Sequence, residues 1–191
     1  EITTRLVGSE MCIRDRVNNM FDVIIIGAGV IGCSIARTLS KYNLNTLVLE
    51  KNSDVGDETS SANSAIVHSG YDPHPHTLKA KFNVLGNALY KQTCEELDVK
   101  FINCGSLTVA TEEKHLEILN DLIKRAQENN VPVQLLSKEE AHKMEPNLND
   151  NVIAALYCKT AGIVDPFNLV VHAMENAIDN GVNLALNEEV I

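Results

Sequence analysis

The sequence predicts an α/β chain that begins with a parallel sheet and a crossing helix, and its first native-looking stretch carries the prediction. Asp22–Ile26 is a short, almost wholly apolar, β-branched run, and Gly27-Ala28-Gly29-Val30-Ile31-Gly32 follows it at once. A segment of helical period comes next, with Ile31, Ile35 and Leu39 on one face. Tyr42-Asn43-Leu44-Asn45 interrupts it, and Thr46–Leu49 reads as a second apolar run ending on Glu50. Short β-branched runs of this kind suit strands buried on both faces of a parallel sheet. A strand, a glycine turn, a helix and a second strand make one crossover unit.

Each part of that unit has a physical use in holding a dinucleotide. Gly27 permits the tight turn, Gly29 lets the backbone approach a pyrophosphate, and Gly32 lets the helix pack closely on the strand. The helix opens near Val30, so the amides of Val30 and Ile31 lie in its first turn, where unpaired N–H groups and the dipole favour an anion. Glu50 follows the turn by roughly 20 residues, the spacing of an acid that accepts hydrogen bonds from an adenosine ribose. The competing reading is a crossover whose glycines serve packing alone. The agreement of strand, turn, helix, strand and acid favours the dinucleotide.

Composition sets the bounds. The chain has 191 residues, enough for one large domain or one and a half smaller ones, and its 45% hydrophobic content suits a packed core. A formal charge of −10 argues against nucleic acid or an anionic membrane surface as the main partner. No apolar run approaches the roughly 18 residues that a bilayer-spanning helix needs. The cysteines (Cys12, Cys33, Cys94, Cys104 and Cys158) are scattered and never form a Cys-x-x-Cys pair. They read as reduced thiols of a cytoplasmic protein rather than as a disulfide framework or a metal site. Residues 1–19 show neither helical nor strand periodicity, and a natural start sits at Met20. Within them Val7–Arg16, VGSEMCIRDR, resembles the conceptual translation of a sequencing-adapter read-through. They are expected to be a non-native or disordered tail.

After Glu50 and Lys51 comes a polar stretch of small residues that includes Thr59, Ser60, Ser61, Asn63 and Ser64, followed by Ala65-Ile66-Val67-His68-Ser69-Gly70-Tyr71. Small hydroxylated residues can crowd against a cofactor and bond its phosphates or ring without steric cost. Together with Gly27–Gly32 and Glu50-Lys51, these runs resemble the flavin-binding half of the FAD-dependent D-amino-acid-oxidase-like superfamily. SSANSAIVHSGYDPHPHTLKAKFNVLGN is similar to the glycerol-3-phosphate dehydrogenase branch, with the L-2-hydroxyglutarate oxidases as near relatives. The resemblance covers about residues 20–191. It implies a Rossmann-like FAD-binding domain with an inserted α+β substrate domain, truncated at the C-terminus.

The resemblance also implies roles. Gly27, Gly29 and Gly32 would face the FAD pyrophosphate, with Val30 and Ile31 at the helix start. Glu50, followed by Lys51, would meet the adenosine ribose, and Ser60, Ser61 and Ser64 would lie along the middle of the cofactor. His68 would sit beside the isoalloxazine and the substrate. There an imidazole could take the proton of a substrate hydroxyl while hydride passes to the flavin. It could equally be a neutral hydrogen-bonding residue that fixes ring or loop. One departure is His76, where members of the superfamily commonly have glycine, and it puts the local turn in doubt.

Downstream, Leu78, Phe82, Leu85, Leu89 and Leu97 follow a helical period through Thr77–Leu97. Ser106–Ala110 reads as a strand, and Glu112–Asn129 as a helix with Thr111 as N-cap and Leu116, Leu119, Ile123 and Ala126 inward. Val133–Leu136 and Ile153–Tyr157 read as strands, and Ser137-Lys138-Glu139-Glu140 as a capping box opening a short helix. Asp165 and Pro166 open a further helix with Leu169, Val170, Ala173 and Ala177 buried; Gly181 ends it, and Val182–Leu186 is a strand. The expected domains are 20–98 for the first part of the FAD-binding domain, 99–160 for a partial substrate domain, and 161–191 for the return to the cofactor domain. The pattern is still running at Ile191, which suggests a fragment that binds FAD poorly by itself.

The functional expectation is a flavoenzyme that oxidises a small hydroxy compound, glycerol 3-phosphate first, by hydride transfer to FAD. The alternatives are an L-2-hydroxyglutarate or amino-acid oxidase, or a non-catalytic FAD-binding electron-transfer subunit. The expected partners are a small-molecule substrate and an unidentified electron acceptor. Association with a membrane face or a partner subunit is left open.

Overall fold

The computed structural model describes residues 20–191; the adapter-like segment and the tail read at 1–19 lie outside the described residues. The chain clusters into two compact units: residues 20–63 with Pro166–Ile191, and Ser64–Asp165.

The first unit holds β1 (Val23–Ile26), α1 (Val30–Leu39) and β2 (Thr46–Glu50). Two later elements of the chain complete it, a helix at Pro166–Asp179 and a strand at Asn183–Leu186. The strands form a three-stranded parallel sheet in which β2 is central. Val23 to Ile26 pair with Thr46 to Leu49, and Leu47 to Glu50 pair with Asn183 to Leu186. The Pro166–Asp179 helix packs against α1. It buries Leu169, Val170, Ala173, Met174 and Ala177, one more residue than the expected stripe. Cys33 and Ala36 on α1 and Ala173 and Ala177 on the second helix are all buried, and side chains this small let two packed helices approach closely.

Ile31, Ile35 and Leu39 share one face of α1 as their spacing predicts, but the helix buries its other side: Ile31 is 72% exposed, and the buried residues are Gly32, Cys33 and Ala36. The sheet takes the small side of the helix because close seating on β1 leaves no room for isoleucine. The expectation that β1 is buried on both faces is corrected. Ile25 is covered on the side where Gly32 sits, whereas Ile24 and Ile26 are exposed, because the helices of this unit leave their face uncovered.

The second unit contains β3 (Ile66–Val67), α2 (Leu78–Glu96), β4 (Phe101–Ile102), β5 (Ser106–Ala110), α3 (Glu113–Glu128), β6 (Val133–Ser137), α4 (Lys138–Met144), β7 (Ala154–Cys158) and β8 (Gly162–Val164). The two elements completing the first unit are therefore α5 (Pro166–Asp179) and β9 (Asn183–Leu186). One antiparallel sheet has the order β5-β7-β6, with α3 and α4 against it. A small antiparallel sheet has the order β3-β8-β4, and the chain leaves β3 into the segment at 68–76. Ser137 opens α4 with a complete capping box: its hydroxyl accepts the Glu140 amide while the Glu140 carboxylate accepts the Ser137 amide. On α3, Leu119 and Ala126 are buried as expected. Its N-cap is Glu112, not Thr111, since the helix starts one residue later and the Thr111 hydroxyl instead faces His115 Nδ1 at 3.3 Å. The helical period of Leu78, Phe82, Leu85, Leu89 and Leu97 is that of α2 with its C-cap; the first four are exposed, while Ala80, Cys94 and Leu97 are buried. No helix among the described residues is long and apolar enough to cross a membrane.

Candidate functional site

The corner after β1 is made almost wholly of backbone. Gly27 has φ +96°, a conformation that other residues rarely hold, and its amide donates to the Leu49 carbonyl at 2.8 Å. Gly29 is the N-cap of α1 and brings no side chain to it. A Cβ on Gly32 would lie 2.0 Å from the Gly27 carbonyl oxygen, so the helix seats directly on the turn and no side chain fits there. Helix geometry leaves the amides of Ile31 and Gly32 without a carbonyl one turn earlier. The neighbouring Val30 amide donates to Ser60 Oγ at 3.0 Å. A neutral hydroxyl acceptor thus stands where the helix start favours an anion.

Glu50 closes the other end of this corner. Its carboxylate accepts the Ala28 amide at 2.7 Å through Oε2 and the Asn52 amide at 2.9 Å through Oε1. These bonds, the one from Ala28 foremost, hold the Glu50 carboxyl below the ordinary carboxylate range. Each oxygen keeps a further lone pair, so the group can brace the turn and still accept a ligand hydroxyl. Lys51 Nζ lies 2.8 Å from Glu58 Oε1, which raises the lysine pKa and sets its charge against a carboxylate. The serine-rich run folds over the turn: Gly56 donates its amide to the Ala28 carbonyl at 2.9 Å, and Ser61 Oγ donates to the Gly56 carbonyl. Cys33, behind the turn, donates Sγ–H to the Ala28 carbonyl at 3.2 Å, and burial pushes its thiol up to about 12.

Gly27, Gly29, Glu50, Lys51 and Ser60 line one cleft of about 390 Å³. Residues 188–190 form another part of its wall, and nothing in the sequence singled them out. Free amides, hydroxyls and an absence of bulk suit a diphosphate, and the braced acid suits a ribose. The residues present therefore fit a dinucleotide.

Ser64 and His68 belong to the second unit, where Ser64 is its exposed first residue. His68 leaves β3 with its side chain exposed, while Ser69 and Gly70 are buried. Gly70 has φ +89°, and a Cβ there would lie 2.7 Å from Val84 Cγ2 on α2. The carbonyls of this loop are gripped by side chains. Asn87 Nδ2 donates to the His68 carbonyl at 3.1 Å and to the Thr160 carbonyl at 2.9 Å. Asn129 Nδ2 donates to the Gly70 and Pro73 carbonyls at 3.0 Å each, and Arg125 Nη1 to the Asp72 carbonyl at 3.0 Å. The Tyr71 hydroxyl meets Thr108 Oγ1 at 2.7 Å. Ser69 Oγ and Asp72 Oδ1 are buried without a hydrogen-bond partner, a cost the loop carries. His76 has φ +63°, the conformation that glycine would take without strain, and its ring faces Glu128 at 3.6 Å.

A parallel crossover with a side-chain-free corner and a braced acid defines a dinucleotide-binding protein. The chain belongs to the FAD dependent oxidoreductase (DAO) family, whose profile matches residues 22–191. It is 51% identical over 173 residues to the glycerol 3-phosphate dehydrogenase of Caloramator mitchellensis, a match covering 90% of this chain and 36% of that protein. It is 37% identical over 150 residues to the mitochondrial L-2-hydroxyglutarate dehydrogenase of Dictyostelium discoideum, covering 76% of this chain and 33% of that one. Among solved structures, dithionite-reduced L-alpha-glycerophosphate oxidase from Mycoplasma pneumoniae with FAD bound superposes with a TM-score of 0.86 at 38% identity. That superposition covers 90% of this chain and 46% of that one. The chain thus spans less than half the length of these relatives. FAD is the cofactor of the family.

Proposed function

We propose that the whole protein is an FAD-dependent dehydrogenase or oxidase acting on glycerol 3-phosphate. The observation that carries this reading is the 51% identity to a glycerol 3-phosphate dehydrogenase over 90% of the chain, a stretch long enough to include both the glycine corner and the His68 loop. When bound, FAD supplies the two-electron acceptor. In this reading Gly27, Gly29, the amides of Val30 and Ile31, and Ser60 hold the diphosphate. Gly32 lets the helix end reach it, and Glu50 takes the ribose hydroxyls while bracing the Ala28 amide. Lys51 orders the wall through Glu58, and Ser61 and Ser64 lie along the cofactor. His68 takes the proton of the substrate hydroxyl or holds the substrate by a hydrogen bond. Residues 20–98 and 161–191 serve the cofactor, and 99–160 the substrate.

A second reading, L-2-hydroxyglutarate as substrate, is favoured by the 37% identity to the Dictyostelium dehydrogenase. Turnover of the full-length protein with glycerol 3-phosphate, L-2-hydroxyglutarate and a set of amino acids separates the two. Preference for glycerol 3-phosphate by tenfold or more in kcat/KM is expected. Preference for either other class overturns the substrate reading, and flavin content without turnover of any of them points to an electron-transfer subunit.

A further inference from the structure

We infer that Asn87 is a positioning residue, which sets the direction of the His68 imidazole by fixing the His68 carbonyl. The inference rests on the proposed role of His68 and extends it to a residue outside the motif.

The physical case begins with what could otherwise hold His68. It follows a strand of only two residues, Ile66–Val67, paired on one side with β8. The side chain is exposed, so packing does not choose its direction. The next residues are anchored by burial and by Asn129 and Arg125, beyond His68 itself. At His68 the grip falls to one carboxamide on α2. Both Nδ2 hydrogens of Asn87 are used, on the His68 carbonyl and on the Thr160 carbonyl in the β7–β8 turn. Asn87 thereby ties the exit of β3 to a turn far away in sequence. Fixing that carbonyl fixes the peptide plane from which the His68 side chain departs. A misplacement of about 1 Å at a reacting group costs on the order of 100-fold in rate.

A natural control lies nearby. Asn103 makes the same kind of double clamp on the same turn, donating to the Lys159 carbonyl at 3.0 Å and the Ala161 carbonyl at 2.6 Å, but it does not touch the His68 loop. Replacing it loosens the turn and leaves the His68 carbonyl held.

The test uses the full-length flavoenzyme with Asn87→Ala, Asn103→Ala, His68→Ala and the Asn87→Ala/His68→Ala double variant. Measured are kcat and KM for glycerol 3-phosphate per bound flavin, the pH profile of kcat, and Tm. Asn87→Ala is expected to lower kcat roughly 10- to 100-fold, to displace the acid limb of the pH profile, and to change KM little. Asn103→Ala is expected to lower Tm comparably with kcat and pH profile unchanged. The double variant should be no slower than His68→Ala, because the clamp acts through the imidazole. Equal kcat losses in the two asparagine variants, or an additive double variant, overturn the inference. An impaired His68→Ala enzyme beside an unimpaired Asn87→Ala enzyme overturns it while leaving the His68 reading intact. A fully active His68→Ala enzyme overturns both. If wild type oxidises another substrate instead, only the substrate reading falls, and the panel is read with that substrate.

Discussion

The corner after β1 and the loop after β3 both follow a short strand and both turn on glycine, yet they are held by opposite means. The β1 corner is braced from behind by a carboxylate and by main-chain bonds, and its glycines bring no side chain of their own, so Ser60 Oγ alone reaches the Val30 amide at the helix start. The His68 loop is gripped by its carbonyls, through Asn87, Asn129 and Arg125, with the His68 side chain left exposed. Under the proposed function the difference follows from what each would offer. A phosphate is recognised by free N–H donors, which a bare corner supplies. A proton or a hydroxyl is handled by a side chain, which a loop held at its backbone would present in one direction.

The largest effect is expected at Gly32. Gly32→Ala forces a Cβ against the Gly27 carbonyl and should cost about 3 kcal/mol in the full-length protein, with loss of bound flavin. Urea unfolding and the flavin-to-protein absorbance ratio measure it, and full flavin content would mean that the corner yields freely. Next comes Glu50→Gln, which keeps one acceptor for two amides and should cost about 2 kcal/mol near neutral pH. Because the folded carboxyl is depressed, its contribution is complete above the unfolded value of about 4.3 and is lost as pH falls through the folded value. The gap between wild type and Glu50→Gln should therefore narrow on acidification; a constant gap would show that the charge does not brace the turn.

On the other side of the comparison, Asn129→Ala frees the Gly70 and Pro73 carbonyls and should cost about 1.5 kcal/mol, without the flavin loss of Gly32→Ala. Equal flavin loss would erase the distinction between the two corners. The smallest effect is expected at His76. Gly in its place relieves the strain of φ +63° and removes only an exposed contact with Glu128, so His76→Gly should stabilise by about 0.5 kcal/mol after the entropy of the freer unfolded chain. Destabilisation in thermal melts would make the Glu128 contact the stronger term.

Legibility in the sequence followed the range of the interactions. The β1–α1–β2 unit, the Ser137 capping box and the α5 stripe were readable because each is written in a few neighbouring residues. The strands β3, β4 and β8 escaped, since runs of two or three residues have no period to detect. Periodicity identified the apolar faces of α1 and α2 but not what covers them. Ile31, Ile35, Leu78, Phe82, Leu85 and Leu89 are exposed, and the small Gly32, Cys33, Ala36, Ala80 and Cys94 are buried. Asn87 carried no signal at all, because a single asparagine on a helix looks like any solvated position.

The sequence by itself determined the corner, because glycine spacing and a strand-ending acid act through backbone conformation over one crossover. It likewise determined which run would carry His68. Only the tertiary structure decided which carbonyls are pinned, which helix faces are buried, and that Glu50 braces the Ala28 amide. Those outcomes depend on partners many residues apart, and a local pattern cannot encode a hydrogen bond whose other half is chosen by the fold.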